Sequence, residues 1–238
     1  MRVPYGEARL GGSTMTETTD RRAVSTRQQI LRAAAHNFAR LPFHEVGVDR
    51  VLAKAELTKG AMYFHFRAKL DLALAVIAEQ SALAAEVAAE LLARKLSGLE
   101  TLIDFSYQLA VHDISDERCR AALHLIESMG RTDDLRTNLL ESWIDNLALA
   151  VRRAVGEGDV FEDRDPHDVA LLLVSVYLGL RQTSDLDQPQ QFLGDLEKTW
   201  ALILPGFVRP ERIDYFRQFA KRRTTIVLGS VSALTGSP

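Results

Sequence analysis

Helical periodicity runs through nearly the whole chain: apolar residues recur three and four positions apart, and no segment sustains the alternation of a half-buried strand. That pattern restricts the 238 residues to an all-α fold. From position 67 onward it predicts helices over 68–95, 99–113, 116–129, 135–157, 166–184, 189–204 and 210–223, separated by breakers such as Gly98, Gly130, Gly156, Gly158 and Pro205. Pro166 and Pro189 suit the first turns of their helices, where the missing amide hydrogen is harmless. No internal repeat of solenoid length is present.

The N-terminal third is organised differently. Residues 1–24 are polar, carry Gly11 and Gly12, show no apolar period and are read as a flexible arm. Ser25 and Gln28 have the spacing of a capping box, after which Ile30, Leu31, Ala34, Ala35 and Phe38 share one face until Pro42 stops the helix. A short helix over 48–55 points Val48, Val51 and Leu52 inward, and the turn Ala55-Glu56-Leu57 leads to Thr58 as N-cap of a third. Two short helices joined by such a turn make 25–70 a candidate helix-turn-helix DNA-binding domain, although many helical bundles contain short helix pairs. Residues 71–224 are then a second helical domain, and 225–238 are a tail with no assigned structure.

Charge supports a polyanionic partner. Between positions 21 and 70 ten Lys/Arg face three acids, a net of +7 on a chain whose total is −3. A basic block on an acidic chain is an electrostatic footprint for phosphates, whose neutralisation releases condensed counterions. Enzyme chemistry finds no foothold: the six histidines lack HExxH spacing and there is no nucleotide-binding glycine loop. Neither a cofactor nor a metal is expected. A single cysteine, Cys119, allows no internal disulfide and is read as a free buried thiol. The strongly apolar stretch 169–180 is too short to cross a bilayer, which takes about 20 residues, and the N-terminus lacks the order of a signal peptide. A cytoplasmic protein without membrane association is the expectation.

The run Thr58-Lys59-Gly60-Ala61-Met62-Tyr63-Phe64-His65-Phe66, followed by Arg67-Ala68-Lys69, resembles the recognition helix and exit of TetR-family regulators. The N-terminal end of a recognition helix reads base edges in a major groove, which suits Thr58, Lys59 and Gly60. A glycine costs helix stability, roughly 1 kcal/mol against alanine, and close approach to DNA accounts for Gly60. Tyr63 offers a phenol and Lys69 a free ammonium to phosphates, while Phe64 and Phe66 are read as core anchors. By the resemblance, Lys59 contacts bases, Thr58 and Gly60 lie at the groove, and Tyr63 and Lys69 hold the backbone. His65 is open between a DNA contact and a histidine packed between helices. Pro42, Val46-Gly47 and Glu56 stand where many members carry Gly, Thr and Gly, so capping of the second helix is expected to be weaker.

Further stretches resemble actinobacterial γ-butyrolactone receptor repressors: Trp200 with Ile203-Leu204-Pro205-Gly206-Phe207, Ser142-Trp143-Ile144-Asp145, and Gly158-Asp159-Val160-Phe161. The resemblance implies a repressor that binds a palindromic DNA operator as a homodimer and is released by a small hydrophobic effector, a γ-butyrolactone-like signal or alternatively a fatty-acid-like or drug-like hydrophobe. It makes 71–224 the helical ligand-binding and dimerisation domain that holds the effector, with Trp143 as pocket tryptophan or ordinary core. Tyr177, Arg181 and Gln182 are candidate ligand contacts, the last two open between polar groups for a lactone or carboxylate and a solvated helix end. The apolar stretch 169–180, with Phe192, Leu196 and Trp200, suggests a four-helix dimer interface.

Overall fold

The computed structural model describes residues 13–128 and 134–235. Among the described residues ten α-helices follow one another: α1 (Ser13–Phe38), α2 (Val48–Ala55), α3 (Lys59–His65), α4 (Lys69–Ala93), α5 (Gly98–Ser115), α6 (Glu117–Ser128), α7 (Asp134–Gly156), α8 (Pro166–Thr183), α9 (Pro189–Ile203) and α10 (Pro210–Thr235). The described residues hold no strand, only an isolated antiparallel bridge between Val160 and Val208.

Local chemistry explains most boundaries. Thr58 caps α3 by accepting from the Ala61 amide at 3.3 Å. Ser97 and Glu100 form a capping box on α5, and Asp165 caps α8 ahead of Pro166. At α2, Gly47 supplies no side-chain cap, and Glu56 takes the left-handed conformation at φ 54° that a glycine would adopt without strain.

Two boundaries differ from expectation. Helix α1 starts at Ser13, so residues 13–24, read as arm, continue the helix; Ser25 lies inside it and makes no N-cap. Gln28 instead donates to Glu79 of α4 at 3.1 Å. Residues 1–12 of the expected arm lie outside the described residues. Residues 225–235 of the unassigned tail continue α10, because Val227 and Val231 bury one turn apart in the core, and 236–238 lie outside the described residues.

The helices enclose two apolar cores. The first gathers Ile30, Ala34 and Phe38 of α1, Val51 and Leu52 of α2, Met62 of α3, Leu72 and Val76 of α4, and Ala121, Leu125 and Ile126 of α6. The second is built by α5, α7, α8, α9 and α10 around Ile103, Tyr107, Val151, Phe192, Trp200 and Phe216. Packing therefore does not divide at residue 70: α6 and the first turns of α4 complete the core of the helix-turn-helix. Polar contacts tie α6 to that unit, with His124 Nδ1 2.8 Å from the Phe38 carbonyl and the Phe43 amide donating to Ser128 Oγ at 3.2 Å. At the far end of α4, Arg94 pairs with the buried Asp104 of α5 at 3.1 Å, and Arg223 of α10 joins from the other side.

Between those anchored ends α4 is loosely covered. Lys69–Leu91 is long and apolar enough by length and composition to cross a bilayer, longer than the 169–180 stretch singled out from the sequence. Within the fold it touches α1, α5 and α6, and most of its apolar window is not buried by them. Gly98, where α4 hands over to α5, is a close approach: a Cβ there would lie 2.5 Å from the Ala150 carbonyl oxygen and 2.6 Å from the Ala154 nitrogen.

Candidate nucleic-acid interface and effector region

Helix α3 is held by its inner face and open on its outer one. Met62 is fully buried and Phe66 nearly so, whereas Thr58, Lys59, Gly60 and Tyr63 are exposed. A Cβ at Gly60 would meet nothing closer than Thr58 Oγ1 at 3.8 Å, so no internal packing demands the glycine. Lys59 reaches back to α2, its Nζ lying 2.8 Å from Asp49 Oδ1, and that hydrogen bond holds its pKa above the ordinary lysine range. His65 is half-buried, edge-on to the Phe64 ring at 4.9 Å. Arg50, Lys54 and Arg67 add exposed cations to the same unit.

Two expectations about this segment change. Phe64, read as a core anchor, is 79% exposed: Met62 and Phe66 occupy the inward positions, and Phe64, two residues from each on a helix, turns away. Lys69, read as carrying a free ammonium, donates from Nζ to the Phe43 carbonyl at 2.8 Å and lies 4.3 Å from that ring's centre. Its first role is to tie the start of α4 to the turn before α2.

Of the four candidate effector residues, the structure brings three together and sets one apart. Trp143, half-buried on α7, packs with Leu139 and Leu140 against the N-terminal core. Tyr177 and Arg181 of α8 both donate to Oδ2 of Asp113 on α5, at 2.8 and 2.9 Å. Arg181 also pairs with Glu127 of α6, to which Gln182 donates at 2.6 Å. The Arg181 side chain is 4% exposed, buried where α5, α6 and α8 meet, whereas Gln182 and Thr183 beside it are exposed. Burial pushes the Asp113 and Glu127 carboxyls up, against the opposing pull of Arg181. Tyr177 is raised by the same burial and by the Asp113 charge, so it remains a donor.

Beside this junction runs a small cleft that the sequence did not suggest, about 20 Å³ between α4, α5 and α6, room for about one water. Leu83, Ala84 and Val87 of α4 face Phe105 and Leu109 of α5, with Gln80, His112 and Cys119 at its margin. Cys119 is a free buried thiol, as expected, and burial drives its pKa up, which keeps it protonated and inert. Nor do Phe192, Leu196 and Trp200 face a partner, as the sequence suggested: all three are buried in their own core, and Trp200 Nε1 donates to Ser106 Oγ at 2.9 Å. Exposed apolar side chains of this half include Leu149 of α7, Leu171 and Leu172 of α8, Leu202 of α9 and Ile226 of α10.

Residues 30–76 match the family of bacterial regulatory proteins described as tetR. Over 198 residues the chain is 30% identical to the A-factor receptor protein of Streptomyces griseus, spanning 82% of this chain and 68% of the relative. The chain belongs to the TetR family. Among solved TetR-family structures, CprB from Streptomyces coelicolor in complex with its operator superposes with a TM-score of 0.75 at 30% identity, covering 85% of this chain and 98% of that one. A crystal structure described as a γ-butyrolactone receptor, ArpA-like, gives 0.74 at 30% identity over 86% and 98%. This TetR-family member is accordingly a transcriptional regulator, not an enzyme, close to the γ-butyrolactone receptors.

Sequence reasoning picked out Thr58, Lys59, Gly60 and Tyr63, exposed residues of α3 and its cap, because their spacing is local. It missed Asp49, which meets Lys59 only once α2 and α3 pack, and the cleft residues 80–87, whose apolar period resembles that of any core helix.

Proposed function

We propose that this regulator is a homodimeric repressor that grips a palindromic operator with Thr58, Lys59, Gly60 and Tyr63 of α3 and is released by a small hydrophobic effector of the γ-butyrolactone kind. The observation that carries the reading is the open outer face of α3 beside its buried Met62 and Phe66. A helix so anchored presents its first turn outward, as a major groove requires. His65 sits at the margin of that face, and Lys69, already bonded to Phe43, has two further N–H groups for a phosphate. Leu171, Leu172 and Leu202 supply exposed apolar surface for a two-fold partner, which would set two α3 helices about one duplex turn apart, roughly 34–36 Å.

The effector-binding reading rests on the cleft along α4. Its walls are apolar with a few polar groups at the margin, the lining of a site for a small hydrophobe carrying one polar end, and at about 20 Å³ it admits such a molecule only when α4 moves outward. The Tyr177–Arg181–Gln182 junction lies behind it, and Cys119 is common to both surroundings. Filling the cleft favours a displaced α4, and because α4 and α6 complete the helix-turn-helix core, a displaced α4 respaces the reading heads. Such coupling is reciprocal: operator weakens effector binding by the factor by which effector weakens operator binding.

Selection from randomised duplexes tests the reading. An enriched inverted repeat, released by an acyl γ-butyrolactone at lower concentration than by a medium-chain fatty acid, supports it. Release by the fatty acid alone moves the effector to the fatty-acid-like class, and failure to enrich any sequence refutes operator recognition.

A further inference from the structure

Within the basic block of the helix-turn-helix, one acid stands at the reading surface. Asp49 is 77% exposed on its side chain, and its Oδ1 lies 2.8 Å from Nζ of Lys59, itself 64% exposed. Lys59 opens α3, where the aligned peptide dipoles are positive and a cation is disfavoured. A lysine in that place is also a long chain with a strongly hydrated head, free to swing to any nearby phosphate. Asp49 acts on both points: it lends the missing negative charge and fixes the ammonium at one position. Meanwhile α2 has no side-chain cap at Gly47, and the Asp49 carboxylate reaches across to α3.

We propose that Asp49 is a positioning residue for sequence discrimination: its carboxylate holds Lys59 toward a base edge and repels phosphates that would otherwise capture the ammonium. The inference rests on the proposed operator-binding function. An ammonium paired to a carboxylate gains little from a phosphate placed at random, because a phosphate must displace one anion while approaching another. At a matched site the same ammonium can donate to guanine O6 or N7 without leaving Asp49, since it has three hydrogens. Asp49 thereby lowers non-specific affinity more than specific affinity, and the ratio of the two governs occupancy in a genome.

The test compares wild type, Asp49→Asn and Asp49→Glu on two probes: the duplex enriched from a randomised pool, and a duplex of equal length and scrambled order. Anisotropy titrations across a salt series read affinity and its salt slope. Asn keeps the shape and removes the charge, so Lys59 is released to a phosphate. Scrambled-duplex affinity should rise about three- to tenfold, and the log–log salt slope on that duplex should steepen by about 0.9, the value of one phosphate contact. Asp49→Glu retains the charge and should restore a slope near that of wild type. A side chain serving only the stability of α2 would instead lower the melting temperature and leave the slope unmoved; that result overturns the inference. Unchanged discrimination in Asp49→Asn, with wild type still selective, overturns it as well and spares the function. A wild type that never distinguishes the two duplexes brings down both.

Discussion

Replacing Arg181 by Met should destabilise the fold by about 3 kcal/mol at neutral pH, the cost of breaking a buried ion pair by removing one partner. Arg181 is the cation between Asp113, whose side chain is fully buried, and Glu127, 16% exposed, with one charged hydrogen bond to each carboxylate. Met retains much of the apolar stem but leaves both acids facing one another in a weakly polar interior. By comparison, Arg27 and Glu79 lie 3.5 Å apart with 42% and 31% exposure, and their loss should cost less than about 1 kcal/mol. The Arg181→Met deficit should also depend on pH. A carboxyl whose folded pKa is raised holds its proton more tightly in the folded state, so its contribution is greatest below its ordinary range and fades as pH climbs toward the raised value. Burial already raises both acids, and deleting the guanidinium that opposes the shift raises them further. Urea unfolding at fixed protein concentration should therefore show a larger deficit at about pH 7 than at about pH 5, near the unperturbed carboxylate range. The triple variant Arg181→Met, Asp113→Asn, Glu127→Gln should recover most of it. A deficit under about 1 kcal/mol that does not change with pH would place the three side chains in water and refute the buried junction.

Three further outcomes follow from local geometry. Gly98→Ala sets a methyl within 2.6 Å of backbone atoms of α7, which cannot give as a flexible side chain would, so thermal unfolding should reveal a loss of about 2–3 kcal/mol. Glu56→Gly removes a non-glycine residue from the left-handed region, and the relief should exceed the entropy lost to glycine by about 0.5 kcal/mol, measurable as a higher denaturant midpoint. Cys119 should resist iodoacetamide in the native protein and react only on unfolding, because burial keeps it a thiol; rapid alkylation under native conditions would contradict its place in the core.

The course of the helices was legible because their boundaries are set by neighbours in sequence. Pro166, Pro189 and Pro210 begin helices, Thr58 caps one, and the face Ile30, Leu31, Ala34, Ala35 and Phe38 is buried as its period requires. Less was legible wherever burial is decided by residues far along the chain. Arg181, Gln182 and Thr183 look like a helix running into solvent, as Gln182 and Thr183 do, and only Asp113 and Glu127, 68 and 54 residues away from Arg181, draw its guanidinium into the interior. Phe192 and Trp200 form an apolar stripe that fits a subunit interface and a private core equally well; α5, with Ser106 waiting for the indole N–H, makes it the core. The N-terminal part of α1 carries no apolar period, so nothing in its composition announced a helix ahead of Ser25.

Lys59→Ala measured against the enriched duplex tests the operator-reading role of α3 most directly. With dimer content and melting temperature held to those of wild type, discrimination between enriched and scrambled duplexes should fall by about 5- to 150-fold, the worth of one base-edge contact. Equal discrimination by the two proteins would mean that the first turn of α3 does not read the operator.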